Sequence, residues 1–170
     1  LAEIQALEEL RWEVSFMQYD LACSMNTYLK AVSNAERSIS FMRAYRIEIS
    51  ALSHLYGYND EYRGKSIWNK IRNIPEFKSI PLSKEIEDEL IALTSNFNPS
   101  KRNLYTHYRE SAKLNISERW QCANDMNHPK ELMQMLRLVT LCKKINHFLV
   151  LLISSMNSTE KRKNDEMLNP

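Results

Sequence analysis

Glycine is almost absent: Gly57 and Gly64 are the only two in 170 residues. So few leave no glycine-rich loop to cradle a phosphate, and they argue against a strand-and-turn protein. Cysteine is nearly as scarce. Cys23, Cys122 and Cys142 are odd in number, far apart and form no Cys-x-x-Cys pair, which leaves a zinc ribbon or a dithiol redox motif without support. They read as reduced, buried thiols of a cytoplasmic protein. The histidines, at 54, 107, 128 and 147, lack metal-ligand spacing, and no His-Glu-x-x-His occurs, so no metal or other cofactor is expected. The longest apolar run, Phe148 to Ile153, is too short to cross a membrane. No signal peptide is visible. Net charge is small too, at +2, so any nucleic-acid surface must be local.

What remains is ordinary material for one globular domain. Hydrophobic residues make up 44% and charged residues 26%, and the length suffices for a proper core. Because the chain opens on Leu1 and not Met, upstream residues are expected, and the domain fits a place in a longer protein.

From Leu1 to Tyr56 neither Gly nor Pro interrupts, and apolar residues recur at helical spacing. Ile4, Leu7, Val14, Met17 and Leu21 form one stripe; Val32, Ala35, Ile39, Met42, Ile49 and Leu52 form another. A single helix of that length would project far beyond a small domain. A break is expected either near Ser24 to Asn26 or at Ser33-Asn34, where Ser33 and Glu36 match a capping box. Two long antiparallel helices result; the alternative is one long helix serving as a dimerisation arm. Glu3, Glu8, Glu9, Glu13 and Asp20 read as a solvated face.

A polar loop follows from Gly57 to Lys65, then a short helix over Ser66 to Asn73 whose Trp68 and Ile71 pin it to the core. Tyr62, Arg63, Lys65, Lys70 and Arg72 offer an alternative, an aromatic and basic RNA surface. Pro75 to Pro81 reads as an irregular connection. Ser83 suits the N-cap of a helix running to about Asn96, with Ile86, Leu90 and Leu93 inward. Leu114 to His128 is irregular, with Trp120 capping the core and His128 as a turn residue. The last helix, Pro129 to Asn157, carries two apolar stripes: Leu132, Leu136, Val139, Leu149 and Ile153, and Leu138, Leu141, Ile145, Phe148 and Leu152. Such a helix is buried centrally or shared with a second subunit. Residues 1–157 thus make a single all-α domain, and 158–170, with Lys161-Arg162-Lys163, a polar, disordered tail.

One stretch carries chemistry. Ser100 to Glu110 reads Ser-Lys-Arg-Asn-Leu-Tyr-Thr-His-Tyr-Arg-Glu and follows Asn98-Pro99, an N-cap followed by a proline suited to the first helical position. Asn103 and His107 then share a face, with Arg102 in the first turn. Lys101, Arg102, Arg109 and Lys113 against Glu110 leave three net positive charges (four minus one). An imidazole, a guanidinium and a helix N-terminus together suit a phosphodiester.

Arg102-Asn103-Leu104-Tyr105-Thr106-His107-Tyr108 resembles the Arg-Asn-x-x-x-His signature of the HEPN superfamily (higher eukaryote and prokaryote nucleotide-binding domains), in a form close to that of phage-defence and abortive-infection proteins. The resemblance implies a bundle of four to six helices and a metal-independent endoribonuclease acting in phage defence, as a toxin or in stress. Arg102 and His107 would be catalytic, supported by Asn103, Lys101, Tyr108 and Arg109 in binding RNA. It also implies a two-fold homodimer with two motifs facing one cleft, and an antitoxin or other regulatory partner. In family toxins a tyrosine two residues after the histidine is modified; Arg109 occupies that place here, so that form of regulation is not expected. Two other readings stand beside the nuclease. One is a non-catalytic HEPN module binding RNA or nucleotide within a larger protein. The other is a helical dimerisation or adaptor domain in which Arg102 and His107 serve structure.

Overall fold

The computed structural model describes residues 2–57, 63–95 and 128–168. They form an all-α structure, with no strand among the described residues. The α-helices in chain order are α1 (Ala2–Lys30), α2 (Asn34–Leu55), α3 (Ile67–Ile71), α4 (Leu82–Ser95) and α5 (His128–Leu168); a 3-10 helix at Pro75–Ser79 lies between α3 and α4. None of the described helices is long and apolar enough to cross a membrane.

The break between the N-terminal helices falls at Ser33. Its hydroxyl accepts the Glu36 amide at 3.1 Å, and the Glu36 carboxylate accepts the amides of Ser33 (3.1 Å) and Val32 (3.0 Å). This capping box satisfies donors that a helix start leaves open. The same amides hold the Glu36 carboxyl below its usual range. The other candidate break, around Ser24, is uninterrupted helix. Past the corner, α2 runs back antiparallel along α1. Tyr28 meets Phe41 near the turn, and His54 Nε2 lies 3.1 Å from the Glu13 carboxylate at the far end. Gly57, at φ 79°, closes α2 in the left-handed conformation that side-chain-bearing residues avoid, and its amide reaches the Leu52 carbonyl.

The stripe expected on α2 is half inside: Ile49 and Leu52 are buried and Met42 packs against the core. Ser38, Phe41, Tyr45, Glu48 and Leu52 face inward, whereas Val32, Ala35 and Ile39 are exposed. Two serines and a glutamate on the buried side disguise it. Counting apolar residues therefore misplaces the first turns of the stripe and not the last.

α1 and α5 form the longest seam. Leu7, Leu10, Val14, Met17, Leu21, Ser24 and Tyr28 recur at steps of three and four on α1, as do Met135, Leu138, Cys142, Ile145, Leu149, Leu152 and Met156 on α5. That 3.5-residue period is the pattern of coiled-coil packing. Ser15 beside Asn146 (3.1 Å) and Tyr28 beside His128 (3.1 Å) set the two helices antiparallel. Of the two stripes expected on α5, the one with Leu138, Leu141, Ile145, Phe148 and Leu152 is wholly buried. The other is divided: Leu149 and Ile153 are buried, but Leu136 is exposed. Cys142 is buried, while Cys23 is exposed, contrary to its expected place in the core; Cys122 lies outside the described residues.

α5 also continues to Leu168, past Asn157 and through most of the segment expected as a disordered tail. Neither Gly nor Pro occurs in that stretch to stop a helix already nucleated by the seam. Ser158 and Thr159 return hydrogen bonds to the carbonyls of Ser154 and Ser155 (2.9 and 3.1 Å).

On the other side of α5 sits an aromatic cluster. Trp68 of α3, Phe77 of the 3-10 helix and Phe148 of α5 meet with centroids 5.1 to 5.5 Å apart. Trp68 and Ile71 pin α3 as expected. Pro75 to Pro81 is more regular than expected, because a proline in the first turn of a helix loses no needed donor. The 3-10 turn runs into α4, so α4 starts at Leu82 and Ser83 lies buried inside it rather than capping it. Ile86, Leu90 and Leu93 of α4 face inward. Lys144 of α5 binds Glu85 (2.6 Å) and Glu89 (3.2 Å), and Arg137 lies 3.9 Å from Glu89, so α4 runs antiparallel to α5. These exposed pairs set direction more than stability.

Phe148 touches both other aromatics and is fully buried. Phe148→Ala is expected to lower the unfolding free energy in urea by about 3 to 5 kcal/mol. Val150→Ala, two residues away on the exposed side, should change it by less than about 0.5 kcal/mol.

Candidate functional site

The motif residues Lys101, Arg102, Asn103, His107, Tyr108 and Arg109 lie outside the described residues, as does Trp120. The described structure supplies the frame to which their segment is tied. In sequence that segment follows Ser95, the last residue of α4, and precedes His128, the first residue of α5. Both attachment points are firm. Leu93 and Met135 are buried, and the Thr94 and Ser95 hydroxyls bond back to Leu90 (2.7 Å) and Ala92 (2.9 Å).

His128 is no turn residue. Its imidazole stacks on Phe41 with centroids 3.9 Å apart and planes 9° from parallel, and Nδ1 lies 3.1 Å from the Tyr28 hydroxyl. Phe41 in turn stacks on Tyr45. Residues of α1 and α2 thereby fix one imidazole at the first position of α5. Pro129 suits the first turn of α5 and lets His128 open it. The residues that capture His128, Tyr28 and Phe41, are 100 and 87 positions away, so no local pattern announces them.

A second polar feature lies nearby in the core. Glu48 of α2 is only 4% exposed, and its Oε2 has no hydrogen-bond partner. Tyr45, Ile49, Leu52, Leu93, Glu131 and Gln134 surround it, leaving about 10 Å³ of space, room for about one water. Burial, reinforced by the charge of Glu131, pushes the Glu48 carboxyl up to about 8. The carboxyl is thus mostly protonated at neutral pH. The signal was present in the sequence: position 48 is seven residues from Phe41 and four from Ala44, on the buried side of α2. Burial likewise raises the Cys142 thiol to about 12, which leaves it unreactive.

Other basic candidates are tied into the frame. The Arg63 guanidinium sits 5.3 Å from the Tyr56 ring centroid, at a groove of about 340 Å³ shared with Ile91, Thr94 and Ser95. Arg72 pairs with Glu87 at 3.3 Å. Arg37 reaches the Ala31 carbonyl at 3.5 Å. Tyr62 lies outside the described residues. Among the described residues no group of three His, Cys, Asp or Glu side chains is arranged to hold a metal ion. No family model, curated protein or solved structure matches the chain.

Glu48 has a pH signature. Its carboxyl titrates near 4.5 when unfolded and near 8 when folded. Between those values the fold keeps a proton the unfolded chain has lost, so stability falls as pH rises through that window. The contribution is complete below pH 4.5. Glu48→Gln is expected to unfold at the same urea concentration as wild type near pH 4, below the window. At pH 9 it should be more stable, by a few kcal/mol to order of magnitude. Parallel pH profiles for the two proteins would mean that Glu48 is ionised in the fold.

Proposed function

We propose that the chain is a metal-independent endoribonuclease of the HEPN type, acting within the cytoplasm in phage defence, as a toxin or in stress. One observation carries the reading: Arg102-Asn103 followed by His107 at the start of a sequence-predicted helix. The all-α frame of long antiparallel helices, with that segment tied between α4 and α5, agrees with it.

The chemistry follows from the residue types. His107, with an imidazole that titrates near neutrality, removes the proton of a ribose 2′-hydroxyl or protonates the departing 5′-oxygen. Arg102 holds the phosphate in a two-pronged contact and stabilises the charge that gathers on its equatorial oxygens. Asn103 orients the imidazole or donates to a phosphate oxygen. Lys101 and Arg109 neutralise neighbouring phosphates, and Tyr108 offers a ring for a base to stack on. Attack by the 2′-hydroxyl restricts the reaction to RNA. It leaves a 2′,3′-cyclic phosphate and a 5′-hydroxyl. One copy supplies one histidine of this motif, and two proton transfers work better with two, which favours a two-fold homodimer.

The test is incubation of wild type and His107→Ala with single-stranded RNA in EDTA. Wild type is expected to cleave, leaving cyclic-phosphate ends, and the variant to be slower by about 100-fold or more. RNA bound but uncut by both proteins would replace the nuclease with a binding module. Equal cleavage by both would remove His107 from the mechanism.

A further inference from the structure

α1 has two faces of opposite purpose. Leu7, Val14 and Leu21 point into the seam with α5. Half a turn away, Trp12, Phe16 and Tyr19 stand at i, i+4 and i+7 within an arc of about 60°. They are 67%, 63% and 67% exposed, and the Trp12 and Phe16 rings already lie against each other with centroids 6.4 Å apart. Single exposed apolar residues are ordinary, but an uninterrupted row of large aromatics on one helix face is a mark of an interaction surface. Trp and Tyr are also the side chains that most often anchor interfaces.

The charge that α1 itself places beside this row is mostly negative. Glu9, Glu13 and Asp20 border one side and Glu8 the other; Glu8 pairs with Arg11, the only basic residue between Ala2 and Leu29, and Glu13 with His54 of α2, which leaves Glu9 and Asp20 facing solvent. Such a border repels phosphate, so nucleic acid and anionic membranes are poor occupants. A second copy using the same face across a two-fold axis would set these carboxylates against one another.

We propose that the outer face of α1 docks an amphipathic helix of a different protein, its apolar residues seated on Trp12, Phe16 and Tyr19 and its flanking lysines and arginines paired with Glu9 and Asp20. Helix pairing of this kind reads anchors at the spacing α1 displays. The acidic border adds specificity and speeds encounter with a basic partner. The inference uses none of the motif residues and stands independently of the nuclease reading.

The test begins with selection from a randomised library of 20-residue helical peptides on the full chain, counter-selected against the Trp12→Ala/Phe16→Ala double variant. The expected outcome is enrichment of peptides rich in Lys and Arg that carry apolar residues at i, i+3 or i+4, and i+7. Labelled peptides should bind the double variant at least about tenfold more weakly than wild type by fluorescence anisotropy. Glu9→Gln/Asp20→Asn should weaken binding several-fold and reduce its salt dependence. Because all four side chains are exposed, both variants should keep the wild-type circular dichroism spectrum and Tm. Failure to enrich any peptide, enrichment of acidic peptides, or equal binding by the double variant would overturn the proposal. So would self-association of wild type in sedimentation equilibrium that the double variant lacks, since a second copy would then be the occupant.

Discussion

The antiparallel seam between α1 and α5 is the constraint on which the remainder of the molecule depends. Apolar residues at steps of three and four on both helices bury a continuous strip along most of α1. Its register brings Tyr28 to His128 and Ser15 to Asn146. Once α5 is held there, its other flank presents Phe148 to Trp68 and Phe77, and the 3-10 turn beyond Phe77 delivers α4 to Glu85 and Glu89 opposite Lys144. The corner at Ser33 serves the same seam by turning α2 back over α1. With Gly57 as one of only two glycines, the connections rely on caps, prolines and short 3-10 geometry instead of flexible turns.

That economy shapes where chemistry can sit. A bundle built on such seams satisfies its backbone internally, so the side chains that stand out are polar groups held between facing helices and large apolar groups left outside them. Here one such place is the join where α4 ends and α5 begins, with a stacked imidazole and a neutral buried carboxyl close to it. Another is the aromatic face of α1, which the seam leaves outside because Leu7, Val14 and Leu21 occupy the opposite side. The two places are independent in chemistry. One gathers a histidine and proton-bearing groups, and the other gathers aromatic surface under negative charge.

Local signals in the sequence were reliable where one interaction decides the outcome. The capping box at Ser33 and Glu36, the buried Trp68 and Ile71, and the inward row of Ile86, Leu90 and Leu93 could all be read from spacing and residue type. Signals failed where a distant partner decides. On α2, Ser38 and Glu48 are inside and Ile39 outside, because packing against other helices chose the side on which Phe41 and Tyr45 fit. His128 looked like a turn because Pro129 follows it, yet Phe41 and Tyr28 hold it as the opening residue of a helix. The Arg102 to His107 motif was legible by spacing alone, and its geometry lies outside the described residues.

By itself, the sequence determined that the protein is helical, offered Ser33 as one of two places for its first corner, and showed which short pattern bears the proposed chemistry. Each of these depends on residues within a few positions of one another, so periodicity and capping suffice. Only the tertiary structure decided which side of α2 is buried, how far α5 extends, and that one carboxyl is stripped of solvent. Burial is a property of what lies across a contact. For Glu48 that includes Leu93 and Glu131, 45 and 83 residues further along the chain, and no window of sequence contains them together.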